Sequence, residues 1–231
     1  MCGRYRLSRR KQVVEEYFAS PSEEEDWNPR YNIAPTQLVA TIRQAGSSRM
    51  LSSMRWGLVP SWASDTSIGS QLINGRSETI LDKPAFRDSF RARRCLIPAD
   101  GFYEWRKSGK ERQPFHFGMK DKSLFAFAGV WDCWKSKAGQ VVESCSILTT
   151  APNDLLEGVH DRMPVILPRR HYQAWLTAPA TEAERLAELL LPFDASLMHR
   201  YPVSSLVNKP QNDVPECALE VRSPEIHTQL W

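Results

Sequence analysis

The chain has 231 residues, of which 42% are hydrophobic, and its 30 Lys and Arg against 27 Asp and Glu leave a formal net charge of +3. This size suits one domain with a sizeable core. So small a charge gives no sign of a dedicated nucleic-acid-binding protein, although whole-chain charge says little about a local cleft, and the lack of an 18-residue apolar run argues against a membrane span.

The five cysteines are widely spread, and the sequence contains neither a CxxC nor an HExxH pair. An odd number of scattered cysteines, behind a start methionine with no export signal, predicts free thiols in a reducing compartment. We therefore expect a cytoplasmic protein with no structural zinc site, no other metal and no cofactor.

The chain begins Met1-Cys2-Gly3-Arg4. A start methionine is commonly removed when the second side chain is small, and removal here leaves Cys2 with a free α-amine beside its thiol. Reference pKa values of about 7.7–8.0 and about 8.5 make both groups partly nucleophilic near neutral pH, and Arg4 is expected to favour the thiolate. Such a 1,2-aminothiol condenses with an aldehyde to a Schiff base and then closes a thiazolidine ring. The alternative is that Cys2 is an incidental second residue.

Ser8 is predicted to cap a helix over residues 9–19, and the polar segment 20–30 is predicted to be a loop. Further predicted helices cover 85–93, 152–158, 169–177 and 181 to about 191, the last with a capping box of Thr181 and Glu184. Predicted strands cover 37–43, 50–58, 95–99, 102–106, 114–118, 124–134, 141–150, 165–167 and 201–207. Many short strands with irregularly spaced helices indicate an α+β fold with a mainly antiparallel, barrel-like sheet core and surrounding helices, in one domain over 1–231.

Three places along these elements present polar side chains. Residues 72–79 carry a polar cluster at a strand end, where the alternative is an ordinary capped loop. Glu104 lies among aromatic residues, and a carboxyl there should have a raised pKa suited to proton transfer, unless it is a surface Glu on an edge strand. His160 lies at a junction of elements beside Asp161 and Arg162, although a lone His is more often structural.

Six motifs follow one another along the chain: Cys2-Gly3-Arg4, Tyr31-Asn32-Ile33-Ala34-Pro35, Trp56-Gly57-Leu58-Val59-Pro60-Ser61-Trp62, Ile73-Asn74-Gly75-Arg76-Ser77-Glu78-Thr79, Arg94-Cys95-Leu96-Ile97-Pro98-Ala99-Asp100-Gly101-Phe102-Tyr103-Glu104-Trp105 and His160-Asp161-Arg162-Met163-Pro164. In this order they resemble the SOS-response-associated peptidase (SRAP) family of abasic-site processing proteins. The similarity runs from Cys2 to about Asn208, and one departure is Gly75, where Ala is expected and where Gly is expected to loosen the loop.

This resemblance implies a covalent thiazolidine link between the amine and thiol of Cys2 and the open-chain aldehyde of an abasic site. It implies that Glu104 moves protons during Schiff-base formation and that His160 assists opening of the sugar ring. Asn74 is expected to orient the ring or the N-terminus. The residues implied in DNA binding are Arg4, Arg76 and Arg162 for phosphates, Trp62 and Trp105 for the bases, and Pro35. Core packing is the alternative for both tryptophans and the stronger one for Trp105.

The partner implied is single-stranded DNA containing abasic sites, with no membrane contact and a monomeric protein that joins the nucleoid when bound to DNA. The resemblance also implies a role in DNA repair and the SOS response, an AP-lyase side reaction through the Schiff base, and cleavage of the Met1–Cys2 bond by the protein or by an aminopeptidase. Two alternatives remain from the sequence. One is an N-terminal-nucleophile glutamine amidotransferase, although such enzymes usually continue with Ile and a Gly-rich turn where this chain has Arg4 and Tyr5. The other is a non-catalytic DNA-binding module.

Overall fold

A computed structural model describes residues 2–109 and 111–221, and within those ranges the chain forms thirteen strands and four short α-helices. The strands are β1 (Tyr5–Leu7), β2 (Arg30–Ile33), β3 (Leu38–Ala45), β4 (Ser48–Trp56), β5 (Asn74–Arg76), β6 (Arg94–Ala99), β7 (Gly101–Ser108), β8 (Glu111–Met119), β9 (Phe125–Lys135), β10 (Val141–Thr150), β11 (Met163–Pro164), β12 (Ile166–Leu167) and β13 (Met198–Pro202). The helices are α1 (Lys11–Phe18), α2 (Arg87–Ala92), α3 (Tyr172–Thr177) and α4 (Ala183–Ala187).

Five strands close into a barrel in the order β10-β4-β3-β6-β9, because β9 also pairs with β10. Every pairing in this ring is antiparallel except that of β10 with β4. The short strand β5 continues the parallel pairing along β10, while β11 and β12 add to β10 and β9. A second, antiparallel sheet runs β13-β8-β7-β1-β2. The predicted α+β fold with a barrel-like, mainly antiparallel core is therefore confirmed.

Tyr5 connects the second sheet to the barrel. Its side chain is fully buried, and its ring lies edge-on to Trp56 and Phe127 at centroid distances of 5.4 and 5.6 Å. Edge-to-face packing at these distances adds to the stabilisation from burial of the ring. Since β1 also pairs with β2 on one side and β7 on the other, the start of the chain is held against the barrel.

The predicted cap of the first helix is wrong. Ser8 lies three residues before α1, and its hydroxyl donates to the carboxylate of Asp100, which also accepts a hydrogen bond from Arg6 at 3.0 Å. Arg9 lies 3.7 Å from the same carboxylate. Arg6 and Arg9 thus lie against a buried carboxylate at the bend between β6 and β7, so Arg9 has a counter-charge although it lies close to a helix N-terminus.

Three other local predictions are also wrong. Residues 152–158 form successive turns instead of a helix, and Gly158 ends them with φ of +78°. The capping box is absent, because a 3-10 turn over Ala180–Glu182 precedes α4 and no side chain caps that helix. The last strand begins three residues earlier than predicted and ends at Pro202, and a 3-10 turn follows at Ser205–Asn208.

The remaining predicted elements occur with shifted ends, and the five cysteines are free thiols as expected. The predicted turn at 108–110 includes Lys110, which lies outside the described residues. None of the helices in 2–109 and 111–221 is long and apolar enough to cross a membrane.

A buried histidine links β8 to β13 in the second sheet. The ring of His116 stacks on Tyr201 at a centroid distance of 4.8 Å and faces His199 at 5.8 Å. Gly101 leaves room for this ring, since a Cβ there would lie 2.1 Å from the His116 Nε2. Burial, followed by the nearby charges of Arg6 and His199, lowers the pKa of His116 well below its usual value.

We predict that this histidine makes the fold less stable in mild acid. Below about pH 6.5 the unfolded imidazole takes up a proton that the buried native one does not, so the free energy of unfolding falls as pH decreases. Urea unfolding of the wild type and of His116→Gln between pH 7.5 and 5 measures this, and the variant should show the weaker loss towards acid. The control is His171→Gln, at a position far along the chain from the stack, and equal slopes for all three proteins would contradict the prediction.

Candidate active site at the chain N-terminus

Cys2 lies in an extended segment that continues β1 alongside β7. Tyr5 is opposite Phe102 in this pairing, and the backbone N–H of Tyr103 donates to the Arg4 carbonyl at 3.0 Å. The Cys2 side chain is fully buried. The side-chain amide of Asn74, from β5, donates to the Cys2 carbonyl at 2.8 Å. Two elements remote in sequence thus hold the second residue of the chain in place.

Glu104 is a residue of β7, where it pairs opposite Phe115 of β8. Its carboxyl lies close enough to Cys2 to affect the thiol. Glu104 is 2% exposed, which excludes the alternative of a surface Glu on an edge strand. Burial, with a smaller contribution from Asp161, raises the pKa of Glu104 to about 8. The prediction of a raised pKa is therefore confirmed, and the cause is loss of solvation of the carboxylate.

The expectation that Arg4 favours the Cys2 thiolate holds only for its backbone, whose hydrogen bond lowers the pKa of the thiol but is outweighed by other effects. Burial, and then the neighbouring Glu104, raise the pKa of the Cys2 thiol above its usual value. The Arg4 guanidinium turns away, donating to the Asn32 side-chain oxygen at 2.7 Å and to the Val207 carbonyl. Cys2 is therefore a thiol here, and its activation requires a base.

His160 faces Glu104 from the other side of the site. Its Nε2 lies 3.8 Å from Oε2 of Glu104. Its Nδ1 accepts a hydrogen bond from the backbone N–H of Arg162 at 3.0 Å and lies 2.9 Å from the exposed carboxylate of Asp161. Burial lowers the pKa of the His160 imidazole, so the neutral ring predominates near neutral pH.

The three arginines predicted to bind phosphates lie in different surroundings. Arg4 is half-buried, and its guanidinium lies 5.7 Å from the ring centroid of Trp105. Arg76 is exposed at the end of β5. Arg162 is only 14% exposed, and its two terminal nitrogens donate to the two carboxylate oxygens of Glu78 at 2.6 and 2.9 Å. Only Arg76 therefore presents its guanidinium openly to solvent.

The three other residues predicted to bind DNA differ in how far their side chains are exposed to solvent. Trp62 is 58% exposed in a turn beyond Pro60. Trp105 is half-buried, packs beside the small core around Tyr103, and donates its indole N–H to the Asn208 side chain at 2.7 Å. Pro35 is half-buried after β2.

The loop that carries Trp62 has its two ends fastened together. The Leu58 backbone N–H donates to the Leu72 carbonyl at 3.1 Å. Gly57 and Gly69 lie so close that a Cβ on either would come within 2.6 or 2.7 Å of the other's carbonyl oxygen. The segment is therefore a compact surface loop whose base admits only glycine at these two points.

Sequence reasoning gave no role to two residues that support the site. Asn32 is fully buried and bonds Arg4 through its oxygen, while its amide nitrogen reaches the carbonyls of Lys209 and Asn212 at 3.0 and 2.7 Å. Glu78 holds Arg162. Both belong to motifs found in the sequence, but their partners lie far along the chain.

Gly75 does not loosen the segment that carries Asn74. It is buried in β5 opposite Leu148, and a Cβ would lie 3.0 Å from side-chain carbons of Ile80 and Leu148. Neighbouring side chains thus occupy the space that an alanine methyl would need. Across residues 2–109 and 111–221, no three His, Cys, Asp or Glu side chains come together in a way that could hold a metal ion.

The fold buries Cys2 beside the Glu104 carboxyl and the Asn74 amide, with the His160 imidazole facing Glu104. The protein is thus an α+β protein with a site built around an N-terminal cysteine. The family model described as SOS response associated peptidase (SRAP) matches residues 1–210, and the chain belongs to this family.

Relatives and solved structures agree with that assignment. The chain is 44% identical over 219 residues to the abasic site processing protein YoqW of Bacillus subtilis (strain 168), covering 94% of this chain and 98% of the relative. It is 33% identical over 228 residues to the abasic site processing protein HMCES of Mus musculus, covering 82% of this chain and 64% of the relative. A crystal structure of a protein from Bacteroides thetaiotaomicron matches with a TM-score of 0.88 and 27% identity, over 96% of this chain and 100% of that one.

We predict that Glu104→Gln stabilises the protein, and increasingly so as pH rises. Between an ordinary value of 4.5 and about 8 the unfolded carboxyl is ionised while the native one keeps its proton, so wild-type stability falls with rising pH. Glutamine removes that loss, and the gain at pH 8 should be on the order of 1 kcal/mol or more.

Urea unfolding at pH 5 and pH 8 measures the gain, with the exposed Glu184→Gln as the matched control. Equal gains at the two pH values would contradict burial of an uncharged carboxyl at position 104.

Proposed function

We propose that this protein processes abasic sites in single-stranded DNA by linking them covalently to Cys2 after removal of Met1. The observation that carries the proposal is that Cys2 and Glu104 are buried next to each other and that the Asn74 amide donates a hydrogen bond to the Cys2 carbonyl. The names of the relatives, abasic site processing proteins, support the substrate. Met1 itself lies outside the described residues.

The proposed reaction uses both nucleophiles of Cys2. The α-amine attacks the C1′ aldehyde of the open sugar, and loss of water gives a protonated imine. The thiol then adds to the same carbon, forming the C–S bond of a thiazolidine while the S–H proton is removed. The two new bonds are N–C1′ and S–C1′, and one water molecule is released overall.

Glu104 suits both proton transfers in this sequence. A carboxyl with a pKa of about 8 is largely protonated near neutral pH, so it can donate a proton to the departing hydroxyl. The carboxylate so formed then accepts the proton of the Cys2 thiol, whose pKa is too high for spontaneous ionisation. Glu104 returns to its starting state at the end of the reaction.

His160 and Asn74 are assigned supporting roles on either side. His160 lies 3.8 Å from Glu104, where its ring can assist opening of the closed sugar. Asn74 keeps the backbone of Cys2 in place, which fixes the direction of the amine.

DNA is proposed to lie over the open side of this site. Arg76 is the exposed candidate for phosphate contact, with Arg4 and Arg162 as more enclosed ones. Trp62 is exposed enough to stack on a base. Trp105 and Pro35 are half-buried, so each could offer only part of its surface to DNA.

Two further activities follow from the same intermediate and the same residue. The imine makes the C2′ proton acidic, so β-elimination with strand cleavage competes with ring closure. Cleavage of the Met1–Cys2 bond, by the protein itself or by an aminopeptidase, is required before either reaction. We propose action in DNA repair at the nucleoid, with the protein as a monomer. The family assignment gives this reading precedence over a glutamine amidotransferase.

The Cys2 sulfur is predicted to be essential for a stable adduct. Wild-type protein mixed with a single-stranded oligonucleotide carrying one abasic site should give a product whose intact mass is the sum of the Met-free chain and the DNA minus one water. Cys2→Ala keeps the amine but lacks the sulfur, so it should give no stable adduct and more strand cleavage.

Cys133→Ala, which removes a cysteine on β9, serves as the control and should react as the wild type does. A stable adduct with Cys2→Ala, or none with the Met-free wild type, would refute the proposed reaction.

Non-covalent DNA binding is predicted to depend on salt through Arg76. Loss of one phosphate contact lowers the slope of log Kd against log salt by about 0.7 for single strands, so Arg76→Gln should bind more weakly at low salt and with a shallower slope. Fluorescence anisotropy with an unreactive abasic analogue measures both. Lys137→Gln, at the exposed hairpin tip before β10 and at the end of that strand away from Thr149, is the charge-matched control. Identical slopes for all proteins would exclude Arg76 as a phosphate contact.

A further inference from the structure

Glu78 and Arg162 form a fixed pair beside the site. Glu78 lies in the 3-10 turn Ser77–Thr79 that follows β5. Its carboxylate accepts hydrogen bonds from both terminal nitrogens of Arg162, and one of these nitrogens also donates to the Thr149 carbonyl at 2.6 Å. A two-pronged arginine–carboxylate contact fixes direction as well as distance, so the Arg162 side chain is tied to two separate elements.

The backbone of Arg162 determines how His160 is protonated. The Arg162 N–H donates to Nδ1 of His160 at 3.0 Å. A ring nitrogen that accepts a hydrogen bond carries no proton, so this contact favours the neutral ring with its proton on Nε2, which is the nitrogen on the Glu104 side.

Asp161 competes for the same ring nitrogen. Its carboxylate lies 2.9 Å from Nδ1 of His160 and would favour a proton there. The Asp161 side chain is 87% exposed, so water weakens its pull. The balance between the two forms of the ring therefore depends on how firmly the Arg162 N–H is held against Nδ1.

We propose that Glu78 is a positioning residue that, by holding the Arg162 side chain, keeps the Arg162 N–H on Nδ1 and so keeps His160 in the form protonated on Nε2. The inference rests on the proposed function, since there His160 assists opening of the sugar ring. Glu78 touches neither Cys2 nor the sugar in this account, and it acts through Arg162 alone.

Rates of adduct formation test the proposal. Under single turnover with the abasic oligonucleotide, Glu78→Ala should react about tenfold or more slowly, within the roughly 10²–10⁴-fold that a general acid or base supplies. Glu78→Gln keeps one acceptor oxygen and should recover part of the rate. In a His160→Ala background, Glu78→Ala should cause no further loss, because the two changes remove one effect. Glu157→Ala, at an exposed position, is the control.

Two further measurements separate this role from others. Nitrogen NMR of His160 in the DNA-free protein should show the Nε2–H form in the wild type and a shift towards Nδ1–H in Glu78→Ala. Binding to the unreactive abasic analogue should change less than twofold. An unchanged tautomer, or an equal rate loss in both backgrounds, would overturn the proposal. An effect on binding alone would also overturn it and would make Glu78 a competitor of DNA phosphate for Arg162.

The NMR result does not depend on the reaction. Wild-type protein that forms no adduct would refute the proposed function, while the tautomer measurement would still decide whether Glu78 sets the state of His160.

Discussion

The position of Cys2 depends on one buried side chain, that of Tyr5. Its ring packs edge-on against Trp56 and Phe127 of the barrel. Burial of the ring carbons is stabilising, and part of that gain is offset because the buried hydroxyl finds no hydrogen-bond partner among the described residues. Strand pairing then fixes the residues before Tyr5, because the hydrogen bonds between β1 and β7 continue beyond it. The residues before Tyr5 therefore reach Asn74 and Glu104 alongside β7, so the fold itself holds Cys2, the proposed nucleophile, in place. A free chain end has this precision only where it is paired and packed.

Burial changes the protonation of both Cys2 and Glu104, and it also lowers the stability of the folded protein. The same loss of solvent raises the pKa of Glu104 and that of the Cys2 thiol. Both groups therefore keep their protons near pH 7, and in the proposed reaction the Glu104 carboxyl gives up its proton before it accepts that of the thiol. Stability is given up to keep them there, a common arrangement where chemistry needs a polar group in an apolar setting.

Much of the fold was accessible from the sequence, because alternating strands and aromatic content are local signals. The same local reasoning identified the raised pKa of Glu104, since its aromatic neighbours on β7 are adjacent in sequence. No local signal fixes which strands close the barrel, because β10 pairs with both β9 and β4, and β4 lies far from β10 in the chain. The erroneous predictions have the same origin: Ser8 finds Asp100 at a separation of 92 residues, and Arg4 turns to Val207 at a separation of 203. Local propensity cannot register a partner that only the tertiary fold provides. The roles of the site residues in the reaction remain predictions.

The loop around Trp62 has a base that is fixed to the barrel and an exposed tip, and these two parts are expected to tolerate sequence change differently. Contacts between its ends, at Leu58 and Leu72 and at the two facing glycines, carry the geometry back into the barrel. The stretch between them is also bonded to the barrel, since the Ser61 N–H donates to the Asp132 carboxylate and the Ala63 carbonyl accepts from the Trp134 indole. Ser64 and Asp65, just beyond these bonds, are exposed, so insertions there are expected to leave the base of the loop unchanged. Under the proposed function, variation at this tip would alter which nucleotides beside an abasic site are bound, without altering Cys2 or Glu104.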